Sequence, residues 1–233
     1  MRANWLLLVM LLSGAHAQAA ALCNPADLVG PYAFQLSGST TISGTPKPTA
    51  SLGRIVFDGH GKLSGTASAA FDGFLLGNPV TGSYEAKSDC SVTWKLQDDS
   101  GGFQNFSGTF SSDAARVQFR QTDPGGAQRG IMQKMRDKCS AADLMRKYSF
   151  TVSGSTTPMQ AGEVGRTVSG KGTLEIAENG SFQVESDCSV NFKLTLPDGL
   201  PMTMRGFLVN GGMEILAFQT DPGAMVSARL SAL

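Results

Sequence analysis

Apolar and polar residues alternate along most of this chain. Tyr32, Phe34 and Leu36 are interleaved with Ala33, Gln35 and Ser37, the period of two expected of a half-buried strand, and Tyr148, Phe150 and Val152 repeat the pattern. Arg54-Ile55-Val56-Phe57 and Lys62-Leu63-Ser64-Gly65 flank Asp58-Gly59-His60-Gly61, which predicts a tight hairpin. Thr173 to Ile176, the turn Asn179-Gly180 and Ser181 to Val184 predict its counterpart. Val92, Trp94 and Leu96 correspond to Val190, Phe192 and Leu194. Further strands are expected from Phe103 to Phe110, Arg116 to Gln121 and Arg129 to Lys134, and again from Met202 to Leu208, Glu214 to Gln219 and Met225 to Leu230. Only one helical turn is expected before each series, at Pro25 to Gly30 and at Ala141 to Met145.

The pattern repeats because the sequence does. Ser88-Asp89-Cys90-Ser91-Val92 returns as Ser186-Asp187-Cys188-Ser189-Val190 (186 − 88 = 98), and Gln121-Thr122-Asp123-Pro124-Gly125 returns at the same shift as Gln219-Thr220-Asp221-Pro222-Gly223. Earlier, Cys23, Tyr32, Phe34 and Ser37-Gly38-Ser39-Thr40-Thr41 match Cys139, Tyr148, Phe150 and Ser153-Gly154-Ser155-Thr156-Thr157 (139 − 23 = 116). The second copy is therefore 116 − 98 = 18 residues shorter, and matching the hairpins places the loss between about Thr66 and Lys87. The expected organisation is a leader over residues 1–17, with cleavage up to 19, then repeat units over 23–136 and 139–233. Short strands joined by tight turns imply an all-β fold of two tandem antiparallel meanders, about eight strands then seven. Closing each into a small up-and-down barrel removes exposed sheet edges. Open sandwiches or one shared sheet remain the alternative architectures.

Gly30-Pro31-Tyr32, at the head of the first strand, resembles the Gly-x-Trp opening of lipocalins and their calycin relatives, with Tyr in place of Trp. The second copy has Arg146-Lys147-Tyr148 there. The resemblance implies a small β-barrel and a ligand site at its open end.

Composition narrows the partners. Lys plus Arg and Asp plus Glu balance at 19 each, so no overall charge field favours nucleic acid or an anionic membrane. Arg2, the apolar run Trp5 to Leu12 and Ala15-His16-Ala17 follow the layout of a secretory leader. That run is too short to span a bilayer, which takes about 20 residues in a helix. Export gives the four cysteines an oxidising setting, periplasmic or extracellular. Three pairings are open, and repeat symmetry favours Cys23 with Cys90 and Cys139 with Cys188; Cys23 with Cys188 obeys the same symmetry but interleaves the repeats.

Few residues offer chemistry. His60 lies beside Asp58 but sits in a turn, with no histidine in the second copy. Asp89 and Asp187 read as turn residues beside the cysteines, and the repeated Asp-Pro-Gly reads as a turn. Asn105-Phe106-Ser107 and Asn179-Gly180-Ser181 fit the glycan-acceptor pattern. No metal-spaced ligand set, dinucleotide fingerprint or nucleophile elbow occurs, so no catalytic residue, metal or cofactor is assigned. What remains is apolar. Phe71, Phe74 and Leu76 lie in the segment the second copy lacks, as candidate ligand contacts at a barrel lip. Met202, Met204, Phe207 and Met213 are expected to fill the shorter second unit. Leu216 and Phe218 replace Gln118 and Arg120, so the outer face of that strand should pack on the first copy or on another protein. The leading expectation is an exported, non-catalytic tandem barrel binding a small apolar ligand. A ligand-free interaction module and a calycin-like isomerase or cyclase are the competing classes.

Overall fold

The computed structural model describes residues 23–42, 44–176 and 182–233. The expected leader, the expected turn at Asn179-Gly180 and the acceptor pattern at Asn179 lie outside the described residues. The first copy forms eight strands: β1 (Gly30–Ile42), β2 (Thr45–Phe57), β3 (Lys62–Phe71), β4 (Phe74–Ala86), β5 (Ser91–Asp98), β6 (Phe103–Phe110), β7 (Arg116–Gln121) and β8 (Arg129–Lys134). Each pairs antiparallel with the next, and β1 also pairs with β8, which closes the barrel. The period of two decides what the barrel contains, since Tyr32, Phe34, Leu36, Ile55, Phe57, Trp94, Phe106 and Met132 all belong to one buried cluster. No described helix is long and apolar enough to cross a membrane.

The second copy forms β9 (Lys147–Thr156), β10 (Thr167–Glu175), β11 (Gln183–Val184), β12 (Ser189–Thr195), β13 (Pro201–Val209), β14 (Glu214–Gln219) and β15 (Ala224–Ala232). They form one antiparallel sheet in the order β10-β9-β15-β14-β13-β12-β11. This is the barrel order cut open between β10 and β11 among the described residues. The register corrects the expected position of the loss. Tyr148 pairs with Leu174 as Tyr32 pairs with Ile55, a shift of 174 − 55 = 119. Val184 pairs with Val190 as Ala86 pairs with Val92, a shift of 184 − 86 = 98. The second copy thus lacks 119 − 98 = 21 residues at this point and has gained 119 − 116 = 3 before β10. The loss removes the counterpart of β3 and most of β4, so Gln183 and Val184 do not stand for Ser64 and Gly65. Without those strands a two-residue β11 is what remains there among the described residues, and their seven-stranded sheet is open where the first copy closes.

The repeated motifs are structural latches. Two disulfides, Cys23–Cys90 and Cys139–Cys188, fit an oxidising compartment and tie the start of each copy to its Ser-Asp-Cys-Ser-Val turn. Cys23 N donates to Ser88 O, and Cys139 N does the same to Ser186 O. Cys90 and Cys188 both take a left-handed conformation, with φ of 69° and 68°. Asp89 accepts from Ser91 N, and Asp187 accepts from Ser189 N. In the other motif, Asp123 accepts from Asn105 N and Gln121 Nε2, while Asp221 accepts from Thr203 N and Gln219 Nε2. The aspartates pin each turn across the preceding hairpin, which accounts for the conserved spacing within the chain.

The two copies share a core. Along β14, Ile215 and Ala217 face inward as Val117 and Phe119 do, so Leu216 and Phe218 face outward, yet both are fully buried. They join Ala33, Ala50, Leu52 and Ala70 of the barrel wall in one apolar cluster. Gln35 Nε2 donates from the barrel to Ala217 O and Ala228 O, at 2.6 and 2.8 Å. The cover anticipated for Leu216 and Phe218 thus comes from within the chain.

Candidate functional site

Side-chain size, rather than polarity, shapes the barrel interior. At one end large residues fill it. Trp94 stacks on Phe106 at 5.4 Å between ring centroids and meets Phe119 edge-on at 4.9 Å, while Phe57 lies between Tyr32 and Tyr84. Gly53 leaves room for the Phe34 ring, since a Cβ there would lie 2.6 Å from Phe34 Cζ, and Gly172 does the same for Phe150 at 2.7 Å. The gap left among Phe34, Ile55, Trp94, Phe119 and Met132 is about 10 Å³, no more than one water needs.

Toward the other end the inward positions shrink. Along β2 they run Phe57, Ile55, Gly53, Ser51, and along β3 Leu63, Gly65, Ala67, Ala69, as the pairings of Ile55 with Gly65 and Ser51 with Ala69 require. The result is a cup of about 320 Å³ at the barrel mouth. Phe34, Leu36, Leu96 and Phe106 make its floor, and Ser51, Ala67, Ala69 and Val80 its wall. Leu76, Asn78, Asp98, Phe103 and Gln104 complete the upper part. Phe103 is 56% exposed, with Lys95 Nζ 4.0 Å above its ring.

The polar groups of the cup divide into two kinds. Asp98 Oδ1 accepts from Ser100 N, Ser100 Oγ and Gly102 N, so it holds the β5–β6 turn. The Ser100 hydroxyl, outweighing a small burial cost, and the turn amides keep Asp98 below the ordinary carboxylate range. Asp98 is the one ionisable residue lining the cup among the described residues. Asn78 and Gln104, by contrast, are half-buried and have no side-chain partner among the described residues.

The three residues expected at the lip part company. Leu76 lines the cup. Phe71 and Phe74 pair across the β3–β4 turn beyond the mouth, and Phe74 is 64% exposed. That hairpin is anchored at its tip, because Gly223 N donates to Gly73 O at 3.0 Å. Gly73 has φ of +86°, and a Cβ there would lie 2.6 Å from Met159 Sδ of the second copy. Leu76 is expected as an apolar residue of the segment the second copy lacks; Asn78 and Gln104 carry no such signal, and only their inward register places them at the cup.

The remaining candidates hold structure. Asp58 Oδ1 accepts from the backbone of His60 and Lys62, which holds its carboxyl below the ordinary range and leaves His60 exposed in the turn. Asn105 is bound to Asp123 through Nδ2 as well as its amide. Met202 and Met204 are buried as expected of fillers, but Met213 is 46% exposed and Phe207 lies opposite Leu216 on the outward face. No group of metal-ligating residues occurs among the described residues. No protein-family model and no curated protein matches this sequence.

Proposed function

We propose that the first-copy barrel binds a small, mostly apolar molecule carrying a hydrogen-bonding group, and that the protein does so outside the cytoplasm after removal of its leader. The cup of about 320 Å³ carries this reading, because it lies within the range of small-molecule sites and combines an apolar floor with convergent polar groups. Asn78 and Gln104 are the side chains with donors and acceptors to spare. The two disulfides support the exported location. Binding is favoured over an isomerase or cyclase because the ionisable Asp98 is committed to its turn and held ionised. The calycin-like resemblance supports the same reading.

The test is titration with N-phenyl-1-naphthylamine, a neutral dye that brightens in apolar surroundings. Saturable brightening is expected for the wild type. It should vanish in Ala69→Phe, which puts a ring into the middle of the cup without disturbing the packed end. Changing Phe71, Phe74 and Leu76 to serine should weaken binding less, since only Leu76 touches the cup. Unchanged dye affinity in Ala69→Phe would leave the ligand-free interaction module as the better reading.

A further inference from the structure

The contact between the copies is apolar on one side and open on the other. Where Leu216 and Phe218 of the second copy meet the barrel wall, the joint is closed. Their equivalents in the first copy are Gln118 and Arg120, both exposed, and beside them lies a cleft of about 370 Å³. Equivalent positions of the two copies line it, for Ser37 is matched by Ser153, Gln35 by Thr151 and Arg129 by Ser227. The cleft continues on the barrel side past Arg120 and on the other side past Lys171. Among the described residues, no carboxylate lines any of these three depressions.

A further feature is costly unless an anion binds. Arg120 and Arg129 stand directly opposite each other on β7 and β8, and like charges in that position are destabilising. Neither makes an ion pair or a side-chain hydrogen bond among the described residues, whereas Arg229 nearby is neutralised by Glu214.

We propose that this cleft is a second binding site, for a ligand carrying a tetrahedral oxyanion such as a phosphate or sulfate group. Cationic donors come from the first copy, Arg129 and Arg120, and hydroxyl donors from the second, Ser153 and Thr151, both exposed on the cleft. Donors on two walls suit an anion that accepts in several directions better than a planar carboxylate. The site exists only because the copies are joined. It is separate from the barrel cup and stands or falls independently of it.

The experiment is an NMR titration of the protein with inorganic phosphate, inorganic sulfate and glucose 6-phosphate, at fixed ionic strength set by chloride. Saturable amide shifts are expected at Arg129, Ser153 and Ser227. Arg129→Gln should weaken binding roughly tenfold, the effect of losing one charge-assisted contact. Ser153→Ala should also weaken it, while the anion-free melting temperature holds because Ser153 is exposed. Tighter binding of the ester than of the free ions identifies an esterified ligand, and equal binding identifies the ion itself. Shifts that never saturate, that saturate away from the cleft, or that persist unweakened in Arg129→Gln overturn the proposal.

Discussion

Two tyrosines at repeat-equivalent positions show how single residues close each unit. Tyr32 Oη donates to Ala114 O at 2.6 Å, and Tyr148 Oη donates to Gly212 O at 2.7 Å while accepting from Met145 N at 2.9 Å. Burial, assisted by the nearby carboxylate of Asp113, pushes the Tyr32 hydroxyl well above its ordinary range, so it remains a donor at any physiological pH. A buried group stripped of its partner costs about 1–3 kcal/mol. Tyr32→Phe strands one carbonyl, whereas Tyr148→Phe strands a carbonyl and an amide. Tyr148→Phe should therefore cost more in urea-unfolding free energy, and equal losses would contradict this assignment of bonds. At this scale the repeat made residues legible in proportion to their duplication. The cysteines and both tyrosines occur twice, and their positions follow from the matching. Asn78 and Gln104 are not repeated and interrupt an apolar pattern, so only their inward register reveals them.

Strands were legible where alternation was clean, as in Arg116 to Gln121, which is β7 to the residue. The position of the loss in the second copy is not legible locally, because the sequence from Thr173 to Val184 carries the pattern of a hairpin. Register against β12, a non-local fact, decides instead that Val184 continues the counterpart of β4. Strand β14 illustrates the converse, since two apolar residues on an outward face required a cover without saying which surface supplied it. Leu216 and Phe218 are both fully buried against the barrel. Replacing them by their first-copy equivalents, Leu216→Gln with Phe218→Arg, removes two core side chains and forces a charge into the joint, at a cost of about 4 kcal/mol or more. Thermal melting should fall steeply in the double variant. A melting temperature within a degree or two of wild type would mean that the joint contributes nothing to stability.

For the whole molecule the consequence of duplication is asymmetry. One copy closes and keeps a cup, the other stays open and supplies the surface on which the first rests. The seam between them is apolar along Leu216 and Phe218 and polar around Glu214. Burial alone would push the Glu214 carboxyl up, but hydrogen bonds from Gln133 and Arg229, with the charges of Arg229 and Arg116, hold it below its ordinary value of 4.5. Gln133 and Arg116 belong to the barrel and Arg229 to the second sheet, so this one carboxylate joins the copies. A group whose pKa falls on folding contributes fully above its unfolded pKa and loses that contribution as the pH drops through the folded one. Glu214→Gln should therefore be less stable than wild type at pH 7. The gap between their urea midpoints should start to narrow as the pH falls through about 4.5 and close below the folded pKa. A gap that holds constant or widens in acid would show that the ionised carboxylate is not what binds the two copies at this point.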